Sequence, residues 1–412
     1  MSEVASTPEP PEQPQGDAAT LASSVAAKQR AGGVIVPVLT AVIAFLIGGL
    51  VVLATGHNPL AAYHDIFNGA GLNWIFHPTT DVANTAAYNL SQTLLQTTSL
   101  ILCGLAVAFA FRCGMFNIGG QGQYFIGLYV ANWLGWSFAG MSPLPHVLIA
   151  VVCATAAGAA WAGIAGVLKA TTGAHEVITT IMLNWIAIWV GEWLFGDGGP
   201  LQNSANKTVP ISNDIAAGAR LPVFWGQQQL QGLHVGFFVA IAALVVFYLI
   251  LNRTTLGYEV RAVGFNPDAA AYGGISVRKN LIRAMAISGA FAGLAGALDM
   301  LGYLYHFGQS DIPVSQVGFL GIAVALLGRN TAVGVGIASL LFGALLFGTT
   351  HGLSAGSSSI DPSLAGNLTY IIQGLVVLFV GADVLVLSVW NARKKVRRRG
   401  GGSAAARAEA PA

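Results

Sequence analysis

Apolar residues run along most of this chain in stretches of about 20, the length a helix needs to cross a bilayer, separated by short polar breaks. Ten such stretches can be placed, at about 34–55, 91–111, 116–136, 146–168, 176–195, 234–251, 282–304, 315–328, 331–350 and 367–390, the eighth being short. The pattern predicts an all-α polytopic membrane protein of about ten transmembrane helices over residues 34–390. One break is unusual. At residues 116–127 the sequence FNIGGQGQYFIG sets Asn117, Gln121, Gln123 and four glycines at the mouth of the third span without a charge. Gly119, Gly120 and Gly122 each lower helix propensity by roughly 1 kcal/mol relative to alanine, so a backbone break is expected there. Its freed groups are either satisfied by the neighbouring carboxamides or turned toward a passing solute.

Composition agrees with the pattern. Of 412 residues, 54% are hydrophobic and 9% charged, against about a quarter charged in a soluble domain. Residues 1–33 are rich in Pro, Glu, Gln and Ala and lack the apolar core of a signal peptide, which reads as a disordered tail. With the N-terminus in the cytoplasm, all but Lys207 and Arg220 of the 19 basic residues fall on the cytoplasmic side, so both termini are expected there. The run ARKKVRRR, at the start of a basic tail over 391–412, reads as a stop-transfer signal lying against anionic lipid. A net charge of +2 gives no reason to expect a nucleic-acid partner. Spans two to five and seven to ten form two sets of four offset by five crossings, the arrangement of an inverted repeat. Cys103, Cys113 and Cys153 lie in or beside apolar segments and read as packing.

Candidate chemistry is sparse. No G-x-x-x-x-G-K-[ST] loop is present, so ATP hydrolysis is not expected in this chain, and no cofactor is implied. His175 and Glu176 begin a metal-type HE pair but continue VITT, without the second histidine, so no metal site is expected. Glu176, Thr180 and Asn184 are spaced by four and share a helix face with Ala187 and Gly191. That stripe either hydrogen-bonds neighbouring helices or lines a water-filled path. Gly289 and Gly293 form a G-x-x-x-G packing face. Glu192, Asp299 and Asp383 lie toward span ends, where interface exposure or a hydrogen-bonded pair is expected rather than a proton relay. An ion-coupled transporter would instead use Glu176, Asp299 or Asp383 as its coupling group. An intramembrane enzyme would need a converged acid, base, nucleophile or metal set, which the sequence lacks.

Residues 252–281 form the main soluble-facing segment. Asn266 can cap a helix, Pro267 suits its first position and Asp268 its positive end, while Gly273 and Gly274 stop it after about two turns. The helix is either a connector or a docking element. The stretch GYEVRAVGFNPDAAAYGGISVRKN followed by ISGAFAGLAGAL resembles the coupling-helix region of permease subunits of ABC importers for simple sugars, nucleosides and branched-chain amino acids. FRCGMFNIGGQGQ and HEVITTIMLNWIA are similar to signatures of the nucleoside-type permeases. The resemblance covers residues 34–390 and implies a transport subunit in a bacterial cell membrane. The implied partners are a separate ATPase, a second permease subunit, an external substrate-binding lipoprotein and membrane lipid. It implies coupling through Glu259, Arg261, Asn266, Pro267, Asp268, Ala269, Ala270 and Gly274. Where the polar break and the polar stripe line a path rather than bond neighbouring helices, the substrate path runs along Phe116, Asn117, Gln121, Gln123, Glu176, Thr180 and Asn184. Nucleosides are the expected cargo, with ribose-type sugars and branched-chain amino acids as the alternatives that share this architecture.

Overall fold

A computed structural model describes residues 41–76, 83–203, 205, 208–226, 231–355 and six positions between 367 and 378. The chain divides into two compact units, residues 1–43 with 382–412, and residues 44–381. All elements below, apart from the first residues of α1, belong to the second. The tails 1–33 and 391–412, Asp383 and nearly all of the tenth predicted span lie outside the described residues.

In chain order, α1 (Ala41–Ala54) turns through 116° into α2 (Pro59–Gly69). The hydropathy pattern did not predict α2, because its eleven residues mix apolar with polar side chains. Asn58 caps it, accepting from Leu60 N at 2.9 Å, and Pro59 occupies its first position. Then come α3 (Ala83–Arg112), α4 (Gly120–Ser137), α5 (Pro143–Thr172) and α6 (Glu176–Phe195). A long connection carries the hairpin of β1 (Val223–Trp225) and β2 (Leu233–His234) before α7 (Gly236–Arg253). Two short helices, α8 (Thr255–Phe265) and α9 (Pro267–Tyr272), lead to α10 (Val277–Asp299), which a π-helical turn prolongs over Met300–Leu304. Last come α11 (Asp311–Val314), α12 (Val317–Leu327) and α13 (Ala332–Ala355). Among the described residues, α3, α5, α6, α7, α10 with its π turn, and α13 are long and apolar enough to cross a membrane; the bent pair α1–α2 would make a seventh.

Two buried helices organise the bundle. Helix α10 packs on α4 and α5, α3 packs on α12 and α13, and α3 and α10 pack on each other. Small residues permit this closeness where lipid supplies no hydrophobic drive between helices. A Cβ placed on Gly289 would lie 2.3 Å from Gly158 O, and one on Gly127 would lie 2.4 Å from Gly293 O. On the other side, a Cβ on Gly343 would meet Thr97 Oγ1 at 2.4 Å, and one on Gly321 would meet Cys103 C at 2.7 Å.

Helix α4 starts at Gly120, four residues later than the third predicted span, and an irregular stretch precedes it. Thirteen of its eighteen residues are buried, including Gln121, Gln123 and Asn132. Its polar content is therefore matched by protein around it rather than by lipid. Helix α12, the short eighth span, has eleven residues and so rises about 16 Å, roughly half a hydrocarbon core. Arg329 and Asn330, both with positive φ (51° and 54°), turn the chain from α12 into α13. Arg112 fastens that turn to the end of α3, its Nε and Nη2 donating to Asn330 O at 2.9 and 2.7 Å.

Candidate functional site

The starts of α4 and α12 meet. A Cβ on Gly318 would lie 2.4 Å from Gln121 N, so only glycine allows this approach. The Gln121 carboxamide joins the two ends: Gly318 N donates to its Oε1 at 2.8 Å, and its Nε2 donates to Ser315 O at 2.9 Å. The first bond serves an N–H that the start of α12 leaves without a helical partner, and the second ties the carboxamide to the backbone just before that helix.

Around this junction the polar side chains satisfy one another. Asn117, fully buried, donates to Gln123 Oε1 at 2.9 Å and to Ser288 Oγ at 2.7 Å, and its Oδ1 accepts from Gly119 N at 2.8 Å and Gln123 Nε2 at 3.0 Å. Asn184 accepts from Gly122 N at 2.8 Å and donates to Ile118 O at 2.9 Å. Thr180, also buried, donates to Glu176 O at 2.7 Å in the first turn of α6. The structure thus gathers Asn117, Gln121, Gln123, Thr180 and Asn184 at one place, as a frame holding α4 against α6, α10 and α12. Glu176 lies apart at the start of α6, paired with Lys169 at 2.8 Å. Phe116 packs on Phe111, with ring centroids 4.9 Å apart.

Beside this frame lies a cavity of about 330 Å³, whose lining includes Gln96, Tyr124, Tyr303, Phe307, Asp311 and Gln316. None of the seven path residues expected from the sequence lines it. Next to the cavity, Asp299 is buried between α3, α4 and α10, accepting from Ser99 at Oδ1 and from the Tyr124 hydroxyl at Oδ2, the latter at 2.7 Å. Asp299 therefore sits in a hydrogen-bonded group, one of the two settings the sequence allowed. Glu192 accepts from Gln309 Nε2. The connection before α7 runs along the chain that follows α10, with Ile215 N donating to Tyr305 O and Leu221 N to Leu301 O, both at 2.8 Å. Arg220 lies 4.6 Å from the centre of the Tyr305 ring, and Asp214 pairs with His306 at 3.1 Å. Tyr303, Phe307 and Gln96 were not singled out from the sequence. The sequence around Gln96, SQTLLQTTS, carries several polar residues and a second carboxamide, so it held no signal that set Gln96 apart.

At the opposite end of α10, α8 and α9 form an elbow. Asn266 ends α8 and starts α9, accepting from Ala269 N at 3.1 Å, with Pro267 in the first position and Asp268 in the first turn. Gly274, at φ 81°, makes the turn after α9, and the elbow rests on the end of α3, where a Cβ on Gly264 would lie 2.3 Å from Arg112 O. Glu259 holds α8 to α10, accepting from Asn280 Nδ2 at 3.0 Å with Arg283 at 3.9 Å. Arg261 donates to Gly257 O of its own helix at 3.2 Å, and Ala270 is turned inward, 5% exposed. The elbow's outward face instead carries Phe265 and Tyr272, 94% and 95% exposed. Burial in the connection between α3 and α4 pushes the Cys113 thiol up to about 12. Among the described residues no group of His, Cys, Asp or Glu is placed to hold a metal ion.

The chain matches the family described as "Branched-chain amino acid transport system / permease component" over residues 89–381. It is 38% identical to the guanosine ABC transporter permease protein NupP of Bacillus subtilis (strain 168), across 89% of this chain and 98% of that one. It is 33% identical to the nucleoside ABC transporter permease protein NupB of Lactococcus lactis subsp. cremoris (strain MG1363), across 86% and 92%. With the glucose ABC transporter permease protein TsgB13 of Haloferax volcanii the identity is 32%, across 84% and 86%. No solved structure matches. A chain whose long apolar helices pack as a multi-pass bundle, and whose sequence matches over most of its length, belongs to this family of transport-system permease components.

Proposed function

We propose that the protein is the membrane-spanning permease subunit of an ATP-driven importer, and that its cargo is a nucleoside. The observation that carries this reading is the match to nearly the whole of a guanosine permease at 38% identity, joined to a polar junction and a cavity that carry no Lys or Arg among the described residues. Such a lining disfavours an anionic solute and suits a hydrogen-bonding one without a negative charge. The frame of Asn117, Gln121, Gln123, Thr180 and Asn184 holds the path walls in place, with Phe116 and Glu176 toward its cytoplasmic end.

In this reading ten spans cross a bacterial plasma membrane with both termini in the cytoplasm. Exchanging α3 with α10, α4 with α12 and α5 with α13 maps the main helix contacts onto one another, which is the packing an inverted repeat produces. The elbow α8–α9 docks the ATPase subunit, with Phe265 and Tyr272 as aromatic anchors beside Asp268, while Glu259, Arg261 and Ala270 keep the elbow on the bundle. A second permease subunit and an external binding lipoprotein complete the transporter, and the enzymatic step belongs to the ATPase.

Reconstitution of the complex purified through this chain tests the reading: guanosine uptake by vesicles should require ATP and resist an uncoupler. Uptake by this protein alone, indifferent to ATP and abolished by an uncoupler, would overturn it in favour of an ion-coupled transporter. The double variant Phe265→Ala with Tyr272→Ala should lose the ATPase on purification while inserting into the membrane normally.

A further inference from the structure

Polar side chains in the middle of a membrane-spanning bundle are expensive unless they are hydrogen-bonded, and among residues 91–99 of α3 one polar side chain departs from this. Ser91, Thr93, Thr97, Thr98 and Ser99 all donate, the first four to backbone carbonyls and the last to Asp299. Gln92 reaches Gln231 O at 2.8 Å. Gln96, on the same helix, has no partner among the described residues, and it lines the cavity. Gln316, immediately before α12, also lines the cavity, and its carboxamide too is without a partner among the described residues. Two open carboxamides facing one space form a pattern that packing alone does not require.

The rest of the wall says what would fill that space. Tyr303 and Phe307 bring aromatic rings, suited to the flat face of a heterocycle. The Tyr124 hydroxyl gives its proton to Asp299, so toward a ligand its oxygen can only accept. Among the described residues no Lys or Arg lines the cavity, whereas Asp311 does, which disfavours a phosphate-bearing ligand. At about 330 Å³ the volume falls at the small end of the range for small-molecule sites. A carboxamide presents a donor and an acceptor side by side, the complement of an amide-like edge on a nucleobase or of adjacent sugar hydroxyls.

We propose that this cavity is the binding subsite for a neutral nucleoside, with Tyr303 and Phe307 flanking the base and Gln96 and Gln316 determining specificity through hydrogen bonds to its polar edge. This rests on the nucleoside-import reading. The frame around Asn117 is fully bonded and serves to hold α4 and α12 while the cavity takes the ligand.

The test is initial-rate uptake of radiolabelled guanosine by the reconstituted complex carrying Gln96→Leu or Gln316→Leu. Each variant should raise KM about tenfold, the loss of one well-made hydrogen bond, with the amount of assembled complex unchanged. Free ribose should not compete with guanosine in the wild-type complex. Gln316 is exposed, so its variant carries the test even where Gln96→Leu reduces assembly. Wild-type uptake with KM within about twofold of normal in the variants, a change too small for a lost contact, would overturn the subsite and leave the importer reading standing. Absence of wild-type uptake of either guanosine or uridine would overturn the importer reading itself, and the subsite with it.

Discussion

Two polar regions lie side by side in this bundle and treat their hydrogen bonds in opposite ways. Around Asn117 every carboxamide is committed: Asn117, Gln121, Gln123 and Asn184 bind one another, Ser288, or the backbone at the starts of α4 and α12. In the cavity Gln96 and Gln316 face open space. The residue types are the same, so polarity by itself does not distinguish framework from binding surface. The distinction lies in whether the partner belongs to the protein.

Substitutions that break this contrast should differ in kind as well as in size. The largest effect is expected from Gly318→Leu, which would drive a side chain into the Gln121 backbone at 2.4 Å. Overpacking there should exceed about 3 kcal/mol, so the protein should fail to accumulate in membranes, as read by immunoblot of the membrane fraction. Asn117→Leu comes next. It strands Gln123 and Ser288, and should lower stability by about 2 kcal/mol, measured as thermal aggregation in detergent, whether or not guanosine is present. Gln96→Leu should leave that melting temperature unchanged and act only on KM, because it removes a group that has no partner among the described residues. Equal destabilisation by the two variants would erase the contrast.

The smallest effect concerns Cys113, buried behind the frame with its thiol pushed up to about 12. Because a raised value keeps the unreactive thiol form, Cys113 should resist maleimide at pH 7 to 9 in the folded complex and label only after denaturation. Labelling of the native protein at that site would show that the junction between α3 and α4 opens to water.

Much of the architecture was legible from local pattern. Helix α6 occupies residues 176–195 as hydropathy placed it, and the elbow at Asn266, Pro267 and Asp268 has the capping geometry its residues prescribe. Both are decided within a few residues of chain. Helix α2 was missed because it is short and turns back at Asn58, and the exposed Phe265 and Tyr272 were missed because spacing does not reveal which side of an elbow faces outward. The residues around FNIGGQGQYFIG were singled out correctly as an uncharged break, but their pattern left two meanings open.

By itself the sequence determined a multi-pass helical membrane protein, the positions of most spans, the capped elbow and membership of a permease family. Only the tertiary structure decided which polar side chains are saturated and which are free. Hydropathy and capping are properties of contiguous residues. The bonds from Gln121 to Ser315 and from Asn117 to Ser288 join positions 194 and 171 residues apart, and Gln96 faces the cavity because no such distant partner reaches it among the described residues.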